Sequence, residues 1–287
     1  MHKFILIFLL LTTYIFSNIN AIVSIAPEKT FLQAIGGDKV NITVMVQAGN
    51  SPHTYEPKPS QMLAVTKAQL YFAIDVEFEQ VWLPKFTNLN PHLEIIDLAA
   101  HVNKIPMLQH DEHTQEHRAH SHEEHHGKDP HIWTSPENVK TIAQNIYETL
   151  IKYDSANTSY YKSNLDTFLA LIKHTDTQIK EILSSLKDNR KFMVFHPSWG
   201  YFAHTYHLEQ IAVEVEGKAP KPKELVALIK EAKKEKVKAI FTQPEFSDAS
   251  AKIIASQLHI PVVKVSPLAE NWSDNLLFIA HTIAGKN

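Results

Sequence analysis

The sequence predicts an α/β protein of two lobes, each with a mainly parallel four-stranded sheet flanked by helices, joined by one long helix. Three features predict it. Short apolar, β-rich runs alternate with helical patterns, one long helical stretch interrupts the alternation, and the alternation then starts again. In the first lobe "IVSIA" (22–26), "ITVMV" (42–46), "LYFAI" (70–74) and "LEIIDL" (93–98) are predicted strands. Helical spacing over 29–36, 59–67 and 77–86 separates them, and Pro59 and Ser60 suit a helix start. A segment rich in histidine and acid (108–128) then intervenes. Helical spacing resumes at 136–153, where Ser135 can cap and Pro136 occupies the first turn.

From Ser159 to Leu186 neither Gly nor Pro occurs, and Leu165, Phe168, Leu169, Ile172, Ile179, Ile182 and Leu183 recur at helical spacing. That is one helix of roughly 40 Å. Beyond it "KFMVF" (191–195), "IAVEV" (211–215), "KAIFT" (238–242) and "PVVKV" (261–265) have the near-continuous apolar character of buried parallel strands. Helices are expected at 198–207, 222–236, 247–258 and 273–284. The chain divides accordingly into a leader (1–21), a first α/β lobe (22–155), a linking helix (156–188) and a second α/β lobe (189–287).

The leader is read from His2 and Lys3, the apolar run Phe4 to Phe16 and the following "SNINA", with cleavage expected after Ala21. The run is short for a membrane span. With no cysteine in the chain, neither a disulfide framework nor a lipid-bearing thiol is expected, and the periplasm is the expected compartment. Of 28 basic residues one, Lys3, lies in the leader, which leaves 27 against 31 acids, or −4. Such a balance supplies no basic surface for nucleic acid. Eighteen histidines against seven glycines is the outlying number, and it directs attention to metal.

In parallel α/β sheets ligands sit outside the carboxyl ends of the strands. Three histidines fall there: His53 in "SPHTYEP", His131 in "DPHIW" and His196 in "HPSWGYFA". Pro52, Pro130 and Pro197 flank them and stiffen the backbone beside each ring. Neutral imidazoles suit Zn2+, and three of them leave one of its four positions to fill. Glu56 either braces the first loop or accepts a hydrogen bond from an imidazole, and Trp133 and Trp199 either wall the cleft or belong to the ordinary core. Glu245 and Ser266 also follow strands of the second lobe.

The segment His110–His126 holds seven histidines (His110, His113, His117, His120, His122, His125 and His126) and five acids. "HEEHH" at 122–126 matches a zinc-protease pattern, but that chemistry needs both histidines on a packed helix, and the flanks supply no apolar stripe. A polar loop that chelates metal weakly and in many ways is the expected role.

Taken together, "PHTYEPKPSQM", the histidine- and acid-rich insertion, "DPHIWTSPENV", "FHPSWGYFAHTYHL" and "VKAIFTQPEFS" resemble the zinc-binding component of bacterial ABC importers, the ZnuA type. The resemblance covers essentially the whole chain after the leader. It implies two lobes, a rigid helical linker, and a metal held between the lobes at His53, His131 and His196. It implies a monomeric zinc carrier with a membrane permease and its ATPase as partners, and no catalysed reaction. Manganese-binding relatives tend to carry an acid where His196 stands, so the histidine favours zinc. Three positions depart from the family pattern: Ser266 stands where many relatives have an aspartate, Pro52 where some zinc members have a glutamate, and Gln243 where "EP" is usual. The fourth ligand is therefore open among Glu56, Glu245, Ser266, water and a histidine of the loop. The competing readings are a manganese carrier of the same class, a metal-binding adhesin or buffer, and a secreted zinc hydrolase with Glu56 or Glu245 as base.

Overall fold

The computed structural model describes residues 18–47, 49–107, 127–186, 190–214 and 218–286. The first sheet is made of β1 (Ile19–Val23), β2 (Val40–Val44), β3 (Leu70–Ala73) and β4 (Glu94–Asp97) in the order β2-β1-β3-β4. The second is made of β5 (Lys191–Val194), β6 (Glu209–Ala212), β7 (Ile240–Thr242) and β8 (Val262–Lys264) in the same relative order, β6-β5-β7-β8. All six strand pairings are parallel. In both sheets the strand order reverses beside the first strand, which opens a crevice at the carboxyl ends. Helices α1 (Ala26–Gly36), α2 (Pro59–Val65), α3 (Glu77–Leu89) and α4 (Pro136–Tyr153) surround the first sheet, and α6 (Gly200–Thr205), α7 (Pro222–Lys234), α8 (Ala249–Leu258) and α9 (Trp272–Ala284) belong to the second half of the chain. The predicted two-sheet α/β architecture with its linking helix is the observed one.

β3 and β5 start where their apolar runs start, β2 and β6 two residues earlier and β7 two residues later, and β1 shows the most informative shift. β1 begins at Ile19, three residues ahead of the expected 22, and Ala21 is paired with both Ile42 and Leu70. A cut after Ala21 would remove Ile19, Asn20 and Ala21 from a five-residue strand at the centre of the sheet. Residues 1–17 lie outside the described residues. A second difference concerns Ser135. It precedes α4 as expected, but its hydroxyl bonds Thr205 Oγ1 at 2.8 Å rather than capping the helix.

Helix α5 (Thr158–Leu183) runs for 26 residues and joins the lobes; it ends three residues before the expected Leu186. Its buried stripe, Tyr161, Leu165, Phe168, Ile172, Ile179 and Leu183, packs against α4 and α1 on one side and against α9 on the other. One apolar core therefore continues from the first sheet through α5 to α9 and to Phe192 and Val194 of β5. Phe31 joins these layers, with its ring 5.7 Å from Phe168 and 5.7 Å from Trp272 in an edge-on contact. Strand alternation sends Met193 to the opposite face, where Ile211, Val213, Leu228, Ile240 and Ile254 form a second, smaller core. Among the described residues no helix is long and apolar enough to cross a membrane.

The insertion leaves the fold through a pinned stem. Pro106 and Lys128 form an antiparallel bridge, Met107 N–H donates to Gly127 O at 3.1 Å, and Asp129 N–H donates to Ile105 O at 2.9 Å. The seven histidines of 110–126 lie outside the described residues. His131 lies three residues beyond the stem, inside the packed body.

Candidate metal centre

His53, His131 and His196 line one small cavity at the strand ends, together with Ser51, Pro52, Val76, Glu77, Pro130, Glu245, Phe246 and Leu268. Its free volume is about 20 Å³, room for a single water-sized occupant. The ring centroids of His131 and His196 are 5.4 Å apart, and those of His53 and His196 5.5 Å apart.

Two of the rings are locked by buried carboxylates. Asp129 Oδ1 accepts from the backbone N–H of His131 at 2.9 Å and lies 2.7 Å from its Nδ1. Glu214 Oε1 lies 2.8 Å from Nδ1 of His196. A carboxylate acceptor at Nδ1 favours the tautomer with its proton there and the Nε2 lone pair free, the form a metal ligand needs. For His196 that Nε2 is buried and has no hydrogen-bond partner. His53 is looser. Its side chain is 36% exposed, and its Nδ1 lies 3.5 Å from Glu77 Oε1. Burial lowers its pKa; Glu77 pulls it back up, and the neighbouring His196 and His131 push it down again. The net lowering favours the neutral ring. Among the described residues no three His, Asp or Glu side chains form a closed ligand set as they stand.

The turn after β7 supports His196 from behind. Gln243 uses both ends of its amide: Nε2 donates to His196 O at 2.8 Å and to Ser198 Oγ at 2.9 Å, while Oε1 accepts from His196 N–H at 3.3 Å. Phe246, three residues on, stacks on the His196 ring at 5.0 Å and 27°. Glu245 lies between them, at the cavity. Burial raises its pKa, and His196 and His131 act in the opposite sense.

The loop carrying His131 is tied to the second lobe, although it precedes the linking helix in sequence. Tyr201 Oη donates to Asp129 O at 2.9 Å, Trp133 Nε1 donates to Pro267 O at 2.8 Å, and Trp272 Nε1 donates to Trp133 O at 2.7 Å. These bonds seat the His131 loop against the lobe that carries His196.

The structure brings together four of the residues read from the sequence: His53, His131, His196 and Glu245. It separates the others. Glu56 is exposed and is not at the cavity, and the acid beside His53 is Glu77. Ser266 caps a turn, its Oγ accepting from Leu268 N–H at 3.1 Å and its carbonyl from Asn275 Nδ2 at 2.9 Å. Trp133 and Trp199 are buried core residues, the second of the two expectations, and Pro52, Val76, Pro130, Phe246 and Leu268 are the apolar lining. Sequence reading missed Asp129, Glu214 and Glu77. Glu214 had a signal, being an acid inside the apolar run "IAVEV", and Asp129 had another, standing two residues from a ligand-type histidine.

Comparison with known proteins places the chain in a family. Residues 22–283 match the family described as the periplasmic zinc-uptake complex component A. The chain is 26% identical over 262 residues to the zinc-binding protein AdcA of Streptococcus pyogenes, covering 88% of this chain and 50% of that one, so it spans about half the length of these relatives. It is 25% identical over 270 residues to the manganese ABC transporter substrate-binding lipoprotein scaA of Streptococcus gordonii, covering 90% of this chain and 83% of the relative. A crystal structure of ZnuA superposes with a TM-score of 0.85 at 39% identity, over 94% of this chain and 99% of the other. The zinc-bound structure of a ZnuA deletion mutant superposes with a TM-score of 0.84 at 39% identity, over 94% and 98% of the two chains. The family is one of transport proteins that bind a solute, not of enzymes, and a small three-histidine cavity backed by carboxylates is a fitting place for a metal ion: the chain belongs to the family of periplasmic A components of zinc-uptake complexes.

Proposed function

We propose that this protein captures Zn2+ outside the cytoplasm and delivers it to an ABC-transporter permease, with His53, His131 and His196 as ligands through Nε2. One observation carries the reading: three imidazoles share a cavity of ion size, and each presents its Nδ1 to a separate carboxylate, Glu77, Asp129 or Glu214. The spacing supports it. With an Nε2–zinc bond of about 2.05 Å, a ring half-width of about 1.2 Å and a tetrahedral angle, two ligating rings have centroids about 5.3 Å apart. The two ring pairs that share His196 are separated by 5.4 and 5.5 Å. His53, the exposed and loosely tied member, closes the set by a side-chain rotation. The protein acts as a monomer in the periplasm, and its leader ends ahead of Ile19 so that β1 stays whole. The run at 110–126 adds weak, exchangeable sites outside the cavity.

A relative named for manganese and two carboxylates at the cavity, Glu77 and Glu245, favour a second reading, a manganese carrier. The three imidazole nitrogens weigh toward zinc, because Mn2+ stands at the weak end of the divalent series and prefers oxygen. Competition titration of the apo protein with both ions, wild type beside His196→Ala, tests the assignment. Zinc is expected to bind far more tightly than manganese, and His196→Ala to lose tight zinc. Equal affinities in the wild type, or an unchanged zinc affinity in His196→Ala, would end it.

A further inference from the structure

Four acids stand around the cavity, and three of them have an evident duty. Asp129, Glu214 and Glu77 face the Nδ1 atoms of His131, His196 and His53 at 2.7, 2.8 and 3.5 Å. Glu245 serves no imidazole. It lines the same cavity, and its Oε2 is buried without a hydrogen-bond partner. A buried carboxylate oxygen left without a donor is costly and calls for an explanation. Its position is also well determined. Gln243 and Phe246 on either side of it clamp the backbone and the ring of His196, and Phe246 N–H closes the turn onto Gln243 O at 3.3 Å.

We infer that Glu245 is the fourth ligand, its carboxylate completing an N3O set around the ion that the three histidines hold; the inference rests on that histidine set. The geometry assigns it a second consequence. Three nitrogens alone leave zinc with an open position for water, as in hydrolytic sites, whereas a carboxylate in that position gives the closed tetrahedron of a site that only binds. Glu245 then neutralises one of the ion's two charges within a small space. Among the residues read from the sequence as fourth-ligand candidates and described in the structure, it is the one at the cavity; Glu56 and Ser266 are elsewhere.

The test compares wild type, Glu245→Gln, Glu245→Ala and His131→Ala in the full chain, all shown to melt as folded apo proteins. Zinc affinity is measured by competition with a chromophoric chelator. Cobalt-loaded protein is then titrated with thiocyanate, a small anion that binds an open metal position and shifts the visible spectrum. Glu245→Gln and Glu245→Ala are expected to keep one zinc per chain but to weaken it by at least the 10- to 100-fold that loss of a partner one shell further out costs. Thiocyanate should leave the wild-type cobalt spectrum unchanged and shift that of Glu245→Ala, which no merely structural role predicts. His131→Ala should lose tight zinc altogether. If it does, while both Glu245 variants bind zinc within about twofold of wild type or the wild-type cobalt spectrum responds to thiocyanate, Glu245 is not a ligand. If His131→Ala retains tight zinc, the histidine set itself fails and the inference falls with it.

Discussion

Asp129 offers the sharpest test of how the fold prepares His131. It is 1% exposed, and its Oδ1 accepts from both the backbone N–H and the Nδ1 of His131. Asp129→Asn keeps an acceptor oxygen in place, so the ring orientation and tautomer survive, but it removes the charge. A hydrogen bond to a charged group contributes about 1.5–3 kcal/mol and a neutral one about 0.5–1.5 kcal/mol, a difference of about 1–1.5 kcal/mol. That difference matters most when the ring is polarised by a bound ion, so it should fall on the loaded state. At 1.36 kcal/mol per decade the expected loss is about tenfold in zinc affinity. Gly200→Ala attacks the same contact from behind, because an added Cβ would collide with Asp129 Oδ2 and must displace the carboxylate. Chelator competition at neutral pH measures both variants beside His131→Ala. Asp129→Asn binding zinc within about twofold of wild type, while His131→Ala loses it, would refute the claim that the carboxylate tunes the ligand. A loss in Asp129→Asn as severe as that in His131→Ala would refute its assignment to a supporting role.

The remaining predictions concern other parts of the molecule. Deleting 110–126 should abolish the weak extra binding seen by equilibrium dialysis and leave one tight zinc per chain; loss of the tight zinc would place a ligand in the run. The uninterrupted helix α5 and the bonds from Tyr201, Trp133 and Trp272 make the lobes one body, so scattering profiles with and without zinc should nearly coincide, and a clear fall in radius of gyration on loading would contradict this. Glu79 is buried among the ends of β1 and β3, where burial pushes its pKa from 4.5 up to about 7 against the pull of donors from Ser24, Ile74 and Asp75. A raised acid pKa stabilises the fold below about pH 4.5 and loses that contribution as pH climbs through about 7, a change of roughly 3 kcal/mol. Denaturant unfolding of the apo protein at about pH 5 and about pH 8 should therefore show Glu79→Gln gaining on wild type by that order as pH rises, and a pH-independent difference between the two would contradict the burial argument.

Periodicity alone carried the architecture. Strands such as "LYFAI" and "KFMVF", and the glycine- and proline-free run ending near Leu183, were legible because a buried parallel strand and a long amphipathic helix are local patterns that few other structures satisfy. The three histidines were legible for a related reason: a strand end is a local landmark, and each carries a proline beside it. What the sequence by itself did not determine is which distant groups meet those histidines. Glu77 lies 24 residues from His53, Glu214 lies 18 from His196, and Trp133 bonds the carbonyl of Pro267 across 134 residues. Glu56, closer in sequence to His53 than Glu77, turned out to be exposed, because three residues along an irregular loop say little about direction. Ser266 and Glu245 were equal candidates as letters after strands; sheet order and the turn between Gln243 and Phe246 sent one into a cap and the other to the cavity. Which side chains converge on a point, and which carboxylate there is left without an imidazole partner, is set by the closure of two sheets around a shared helix, and no spacing along one chain encodes that distance.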